Sequence, residues 1–277
     1  MQLVSSFRNP QSIRENRPLT DDEIRRVAPS IYAPAAHESR SERYSYIPTS
    51  EVLAKLRQEG FEPFAACQSR TRDAGKREHT KHLVRLRHPS QIEGREVNEI
   101  LLLNSHDGSS SYQMLAGVFV FVCSNGLVVG QTAADVRIPH KGDVISRVVE
   151  GAHVVLDGFT RVVEDREVMK SVQLHEEERL AFASAALEVR YEPDETKPAP
   201  VTAQQILMPA RAEDRGHDLW TTFNVVQERL IRGGLRGRAS SGRPTRTRPV
   251  TGIDQDVRLN RALWTLGREM ARLKAKA

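Results

Sequence analysis

Cysteine is nearly absent. The two present, Cys67 and Cys123, cannot build a disulfide framework and lack the paired spacing of a zinc site. This scarcity fits a reducing, cytoplasmic setting. Long hydrophobic runs are also missing: none approaches the roughly 18 residues that a membrane-spanning helix needs. The opening MQLVSSFRNPQSIRENRP lacks the apolar core of a secretory signal, so neither membrane insertion nor export is expected. Aromatic residues make up 5% of the chain, few for a surface that stacks on bases. No GxxxxGK[ST] loop, no GxGxxG turn behind a strand and no GxSxG elbow occurs, which excludes P-loop nucleotide hydrolysis and α/β-hydrolase chemistry.

What is there amounts to 277 residues, 39% hydrophobic and 28% charged, enough for one large domain or two small ones without stapling. Lys plus Arg number 41 against 36 for Asp plus Glu, a net +5. That modest excess permits nucleic-acid binding without requiring it.

Hydrophobic spacing divides the chain. Residues 1–36 carry four prolines and read as an N-terminal arm with one short helix, DDEIRRV, capped by Thr20 or Asp21. A helix over 51–59 follows, capped by Ser50 and stopped by Gly60. Strands are expected in FEPFAACQSRTRD, HTKHLVRLRHP, NEILLLNSH and GVFVFVCSN, with DGSSSYQMLA as a turn and connection. In HTKHLVRLRHP, Lys81, Leu83, Arg85 and Arg87 fall on one side, which predicts a half-exposed strand with a basic face. Helical spacing takes over after Gly142, with Gly151 and Gly158 as weak points. Further helices are expected over HEEERLAFASAALEVRY, 201–208, 218–231 and 256–274. The last has a leucine stripe that needs either the core or another copy of the chain. Strands first and helices afterward predict an α+β fold: a central, mainly antiparallel sheet of at least four strands, then a long helix and a helical C-terminal region. The corresponding divisions are 1–36, 37–200 and 201–277.

Three segments have chemistry to offer. Residues 229–248 hold seven arginines, no lysine and no acid. Arg232, Arg236, Arg238, Arg243, Arg246 and Arg248 lie in a glycine-rich stretch that reads as a flexible loop over 232–248. Guanidinium forks suit phosphate or carboxylate; the plain alternative is a solvated loop or one neutralised by the Glu176–Glu178 run. Lys81, Arg85 and Arg87 would extend a phosphate track across the sheet. At a strand end, Asn104, Ser105, His106 and Asp107 form a turn, with Asp107-Gly108 supplying positive φ; Asn125, in a second turn, would join them in a polar site if the turns meet. Adjacent His106 and Asp107 point to opposite faces of a strand, which argues against a triad. His79, His82 and His88 lie among Lys81, Arg85 and Arg87, a setting that opposes a divalent cation. No catalytic residue, metal or cofactor is expected.

The strings RHPSQIEGREVNEILLLNSHDGSSSYQMLAGVFVFVCSNGLVVG, NVVQERLIRGG, RPTRTR and LNRALWTLGREMARL together resemble the bacterial, plasmid and phage family grouped as domain of unknown function 932. The resemblance runs from about residue 40 to the C-terminus, and NSHDGSSSYQ with CSNGL is its specific part. It implies a protein carried by mobile elements, with DNA maintenance, recombination or defence evasion as its setting. A sheet followed by a long helix also looks broadly like the Red-beta type of single-strand annealing protein, at the level of fold alone.

The leading expectation is a non-catalytic nucleic-acid-binding protein that grips single-stranded or distorted DNA through the arginine loop. The lack of aromatics near that loop favours tracking the backbone over stacking on bases. The alternative is an inhibitor or adaptor whose arginines dock on an acidic host-protein surface. A metal-free enzyme centred on Asn104, His106, Asp107 and Asn125 ranks last. Homo-oligomerisation through the final leucine stripe is compatible with either leading reading.

Overall fold

The period-two patterning of the first half of the chain is used by an antiparallel sheet. The computed structural model describes residues 12–40, 46–91, 96–121, 125–129, 135–194 and 196–276. These fall into two compact units, residues 1–127 with 132–159, and residues 128–131 with 160–277. The elements of the first are β1 (Ser12–Arg14), α1 (Asp21–Val27), α2 (Thr49–Gln58), β2 (Glu62–Gln68), β3 (His82–Arg87), β4 (Glu96–Asn104), β5 (Tyr112–Val120), β6 (Asn125–Val128), β7 (Val136–Ile138) and α3 (Val144–Asp157). The second comprises α4 (Phe159–Ser171), α5 (Glu176–Tyr191), α6 (Ala203–Leu207), α7 (Leu219–Arg232), β8 (Arg236–Arg238), β9 (Pro244–Arg246) and α8 (Ile253–Lys274). The fold is α+β, with a sheet ordered β1-β2-β3-β4-β5-β6 and β7 added beside β5. By its contacts α5 groups with the C-terminal helices.

Local sequence explains the element ends. Thr20 and Glu23 form a reciprocal capping box at α1. Pro48, not Ser50, precedes α2, because the hydroxyl of Thr49 turns into the interior instead of capping the helix. α3 runs through Gly151, whose missing side chain lets the helix lie close to the sheet: a Cβ there would sit 3.1 Å from Val136 and 3.5 Å from Met114. The arm contains an unexpected strand. β1 pairs antiparallel with β2, Arg14 opposite Ala65. β5 begins at Tyr112, earlier than the spacing suggested, because Gln113 through Val120 pair with β4 along its whole length.

The two sheet faces are both buried. One carries Val84, Leu86, Ile100, Leu102, Met114 and Ala116, and α2 and α3 belong to that side. The other carries Leu83, Arg85, Arg87, Glu99, Leu101 and Leu115. The expected half-exposed basic strand is therefore corrected: every residue of β3 is buried. The sheet curls, and β6 bends over this second face. Arg85 donates to the carbonyls of Gly126 at 3.1 Å and Leu127 at 3.2 Å. Close approach requires glycine, since a Cβ at Gly117 would lie 2.8 Å from the Leu127 oxygen.

A burial this deep for arginine needs an anion. Glu99, fully buried, accepts from Arg85 at 3.1 Å and from Arg87 Nε at 2.9 Å. Burial alone would raise its pKa, but Arg14, Arg85 and Arg87 outweigh that and hold it below the usual carboxylate range. The Arg87 guanidinium also lies over the rings of Phe64, Phe119 and Phe121, at 4.3, 4.8 and 5.4 Å from their centroids.

In the second unit, Trp220 and Phe223 of α7 stack at 5.5 Å and meet Trp264 of α8 edge-on. The leucine stripe finds its surface here: Leu259 and Leu263 are buried, while Leu273 at its end is 58% exposed. Replacing Glu99 by Gln removes the carboxylate that the buried guanidinium groups share. The expected loss is about 3–5 kcal/mol, measurable by urea denaturation.

Candidate functional site

The arginine segment is a β-hairpin, not a flexible loop. Gly233 and Gly234 adopt φ of 64° and 81° and turn the chain out of α7. β8 and β9 then pair antiparallel, with Arg236 opposite Arg246, Gly237 opposite Thr245 and Arg238 opposite Pro244. Gly242, at φ 76°, closes the tip, where Ala239 donates to the Arg243 carbonyl. One face is held against the unit: Arg238 N donates to Pro200 O at 2.9 Å, Gln205 donates to the Arg236 carbonyl, and a Cβ at Gly237 would lie 2.0 Å from that Pro200 oxygen.

Because directly opposed residues share a face and alternate residues return to it, Arg236, Arg238 and Arg246 project together from the other side, and all three are exposed. Two of them lean on the hairpin's own ends, Arg238 on Gly242 O at 3.2 Å and Arg246 on Gly234 O at 3.0 Å. Arg243 and Arg248 are exposed as well. Among the described residues, no carboxylate forms an ion pair with Arg236, Arg238, Arg243, Arg246 or Arg248. The sixth expected contact differs. Arg232 is held at 2.7 Å by Glu228, which also takes Arg211, so Arg232 is neutralised within its unit. Glu178 of the acidic run accepts from Lys274 instead of from the hairpin.

The expected continuation over the sheet does not form. Arg85 and Arg87 are 4% and 2% exposed and point into the Glu99 cluster. Lys81 lies half-buried just before β3. A phosphate backbone cannot reach the two arginines in this arrangement.

The Asn104 turn has two roles. At its tip it is a turn: Gly108 has φ 79°, Asp107 accepts from Ser109 N at 2.9 Å, and Ser105 Oγ accepts from Ser110 N at 2.8 Å. At its base, Asn104 and His106 enter a buried polar network that the sequence reading did not assemble. Its hub is Thr49 Oγ1, which has Asn104 Nδ2 at 3.0 Å, His82 Nε2 at 2.9 Å, His106 Nε2 at 3.2 Å and Tyr112 OH at 3.2 Å. Ser30 and His140 extend it, through His82 Nδ1 at 2.9 Å and Asn104 Oδ1 at 3.0 Å. Asn125 opens β6, with its side chain outside the described residues, and its neighbour Gly126 meets Arg85 on the opposite sheet face. The remainder of that second turn, Cys123 and Ser124, lies outside the described residues.

Asn104 Nδ2 donates to the Thr49 oxygen, and His140 Nε2, facing the Asn104 amide oxygen, donates to it. With its Nδ1–H directed to the Thr80 carbonyl, His82 accepts from Thr49 through Nε2. His82 and His106 are held neutral. Desolvation pushes His82 down to about 4 and His106 down to about 2, the latter helped by neighbouring histidines. With Asn104, His82, His106, Thr49 and Tyr112 all fully buried, the network fastens α2 to the end of the sheet and offers no open face for a substrate. Among the described residues, no three His, Cys, Asp or Glu side chains are placed to hold a metal ion, and no helix is long and apolar enough to cross a membrane.

A curled antiparallel sheet unit, a helical unit and an exposed arginine hairpin thus define an α+β protein whose freest chemistry is cationic. The chain belongs to the family described as domain of unknown function (DUF932), whose model matches residues 36–264. It is 55% identical to the UPF0380 protein YafZ of Escherichia coli (strain K12) over 264 residues, 95% of this chain and 96% of that one. Its identity to the UPF0380 protein YfjQ of the same organism is also 55%, with the same coverage. No solved structure matches it.

The network sets a pH dependence. Unfolded histidine titrates near 6.5, whereas His82 and His106 stay neutral well below that when folded. The unfolded chain therefore binds more protons as pH falls. Their contribution is complete above about pH 6.5 and is lost on acidification, by about 1.4 kcal/mol per pH unit for each ring. Between pH 7 and pH 5 the expected loss is about 3–4 kcal/mol by calorimetry, and His106→Gln should remove roughly one proton from the slope. Thr49→Val, which strands Asn104 and both rings, should cost about 2–4 kcal/mol while Thr49→Ser costs far less.

Proposed function

We propose that this protein binds nucleic acid, without catalysis, through the arginine face of the β8–β9 hairpin. The observation that supports this is the unneutralised charge. Arg236 and Arg246 stand directly opposite one another, a pairing that costs stability in a sheet, and no described carboxylate relieves it. Some exposed arginines elsewhere pair with acids, Arg17 with Glu23, Arg258 with Glu192 and Arg268 with Asp165, and others such as Arg72 and Arg147 stand singly, whereas the hairpin gathers three unpaired ones on one face. Arg236, Arg238 and Arg246, each with donors left over, match the spaced oxygens of a phosphate backbone.

Residues 232–248 contain no Phe, Tyr or Trp, so the reading is one of contact with the backbone and little base stacking. Single-stranded DNA is the favoured form, because a short, flat, anchored ribbon can follow one flexible strand without entering a groove. The rival reading, an acidic protein surface, uses the same face and predicts no affinity for DNA.

Fluorescence anisotropy with labelled single-stranded and duplex DNA across a salt series separates the two. Binding should weaken linearly with the logarithm of salt concentration. Replacing Arg236, Arg238 and Arg246 together by Ala should lower that slope by about 2–3. An unchanged slope, or no binding at low salt, would remove the nucleic-acid reading.

A further inference from the structure

The Glu99 cluster is not balanced. Arg14, Arg85 and Arg87 converge on a single described carboxylate, which leaves an excess of two positive charges inside the curled sheet. Arg85 is satisfied by Glu99 and by the carbonyls of Gly126 and Leu127. The other two are not. Arg87 NH2 is buried and has no hydrogen-bond acceptor, although Glu99 Oε1 lies 2.8 Å away, out of line with its protons. Arg14 NH1 is likewise buried without an acceptor, 3.9 Å from that same Oε1. Two donor groups from β1 and β3 thus reach one point and find half of what they need.

The walls hold the two cationic groups away from water. Phe119 lies under both guanidinium groups, 4.4 Å from Arg14 and 4.8 Å from Arg87. Gly126 lets the guanidinium groups approach closely: a Cβ there would come within 2.7 Å of Arg85 Cζ and 2.8 Å of Arg14 NH2. Burial already pulls Arg14 down to about 10, a sign that its charge is short of compensation.

We infer that Arg14 and Arg87 form an oxyanion site inside the curled sheet, taking a small tetrahedral or planar anion such as phosphate or a carboxylate between their unpaired N–H groups. Access runs past β1. This strand has three residues, pairs on one side with β2, and carries the guanidinium that retains 16% exposure against 2% for Arg87. A strand so short at the sheet edge opens at little cost. The anion supplies the second negative charge, and because it binds the folded sheet alone it stabilises by mass action.

Inorganic phosphate is the probe, titrated at constant ionic strength with chloride as the balancing anion. Calorimetric titration should give one phosphate per chain, and thermal unfolding a saturable rise of about 3–5 °C at ten times the dissociation constant. The variant with Arg236, Arg238 and Arg246 all replaced by Ala should keep this response in full, which separates the site from the hairpin. Arg14→Gln, checked for its fold by circular dichroism, should lose at least tenfold in affinity. A carboxylate probe, acetate, run in parallel distinguishes the anion classes by which of the two saturates first. Zero stoichiometry in the unmodified chain, or a response that disappears in the hairpin variant, would overturn the proposal, whatever the folding of Arg14→Gln.

Discussion

A single buried carboxylate governs the sheet unit. Glu99 has no exposed atoms and is approached by three guanidinium groups carried on two other strands. Charged side chains enter an interior only when paired, so Arg85 and Arg87 can face inward only while Glu99 does. Their inward direction in turn brings the Gly126 and Leu127 carbonyls over the sheet, and the curl of the sheet follows from that hydrogen bonding. Phe64, Phe119 and Phe121 complete the enclosure by offering their ring faces to Arg87.

The opposite face is built on the same principle with neutral groups. Thr49 stands where histidines, an asparagine and a tyrosine converge, and its oxygen meets four of their polar atoms, each of which would cost about 1–3 kcal/mol if buried unpaired. The helix α2 is therefore fixed to the sheet end by directional bonds in addition to apolar packing. On the surface of the second unit, β8 and β9 with their flanks carry five arginines, Arg236, Arg238, Arg243, Arg246 and Arg248, that no described carboxylate pairs with. Inside the sheet unit three guanidinium groups share one described carboxylate, whereas the hairpin arginines have none.

Much of this was legible from spacing. The capping box at Thr20, the strands around 62–68, 82–87 and 96–104 and the helices from 144 onward all follow from periodicity that short-range sterics enforce. The arginine cluster at 232–248 is visible as composition, yet its hairpin is not: β8 and β9 are three residues each, and they hold because Pro200 O and Gln205 bond to β8 from a distance in sequence. β1 escaped notice for the same reason, since a three-residue strand has no period of its own.

The sequence by itself determined the α+β class, the order of strands and helices, and the concentration of arginine, because these depend on neighbours within a few residues. Tertiary structure decided the fate of each charge. Arg85 and Arg87 alternate on β3 as a surface stripe would, and nothing local distinguishes them from Arg236 and Arg238. Only the curl that places Glu99 and β6 over them makes the first pair internal, and among the described residues no acid pairs with the second. Thr49 and His140 belong to one network though they lie far apart in the chain, because hydrogen-bond partners are set by distance in space and not along the sequence.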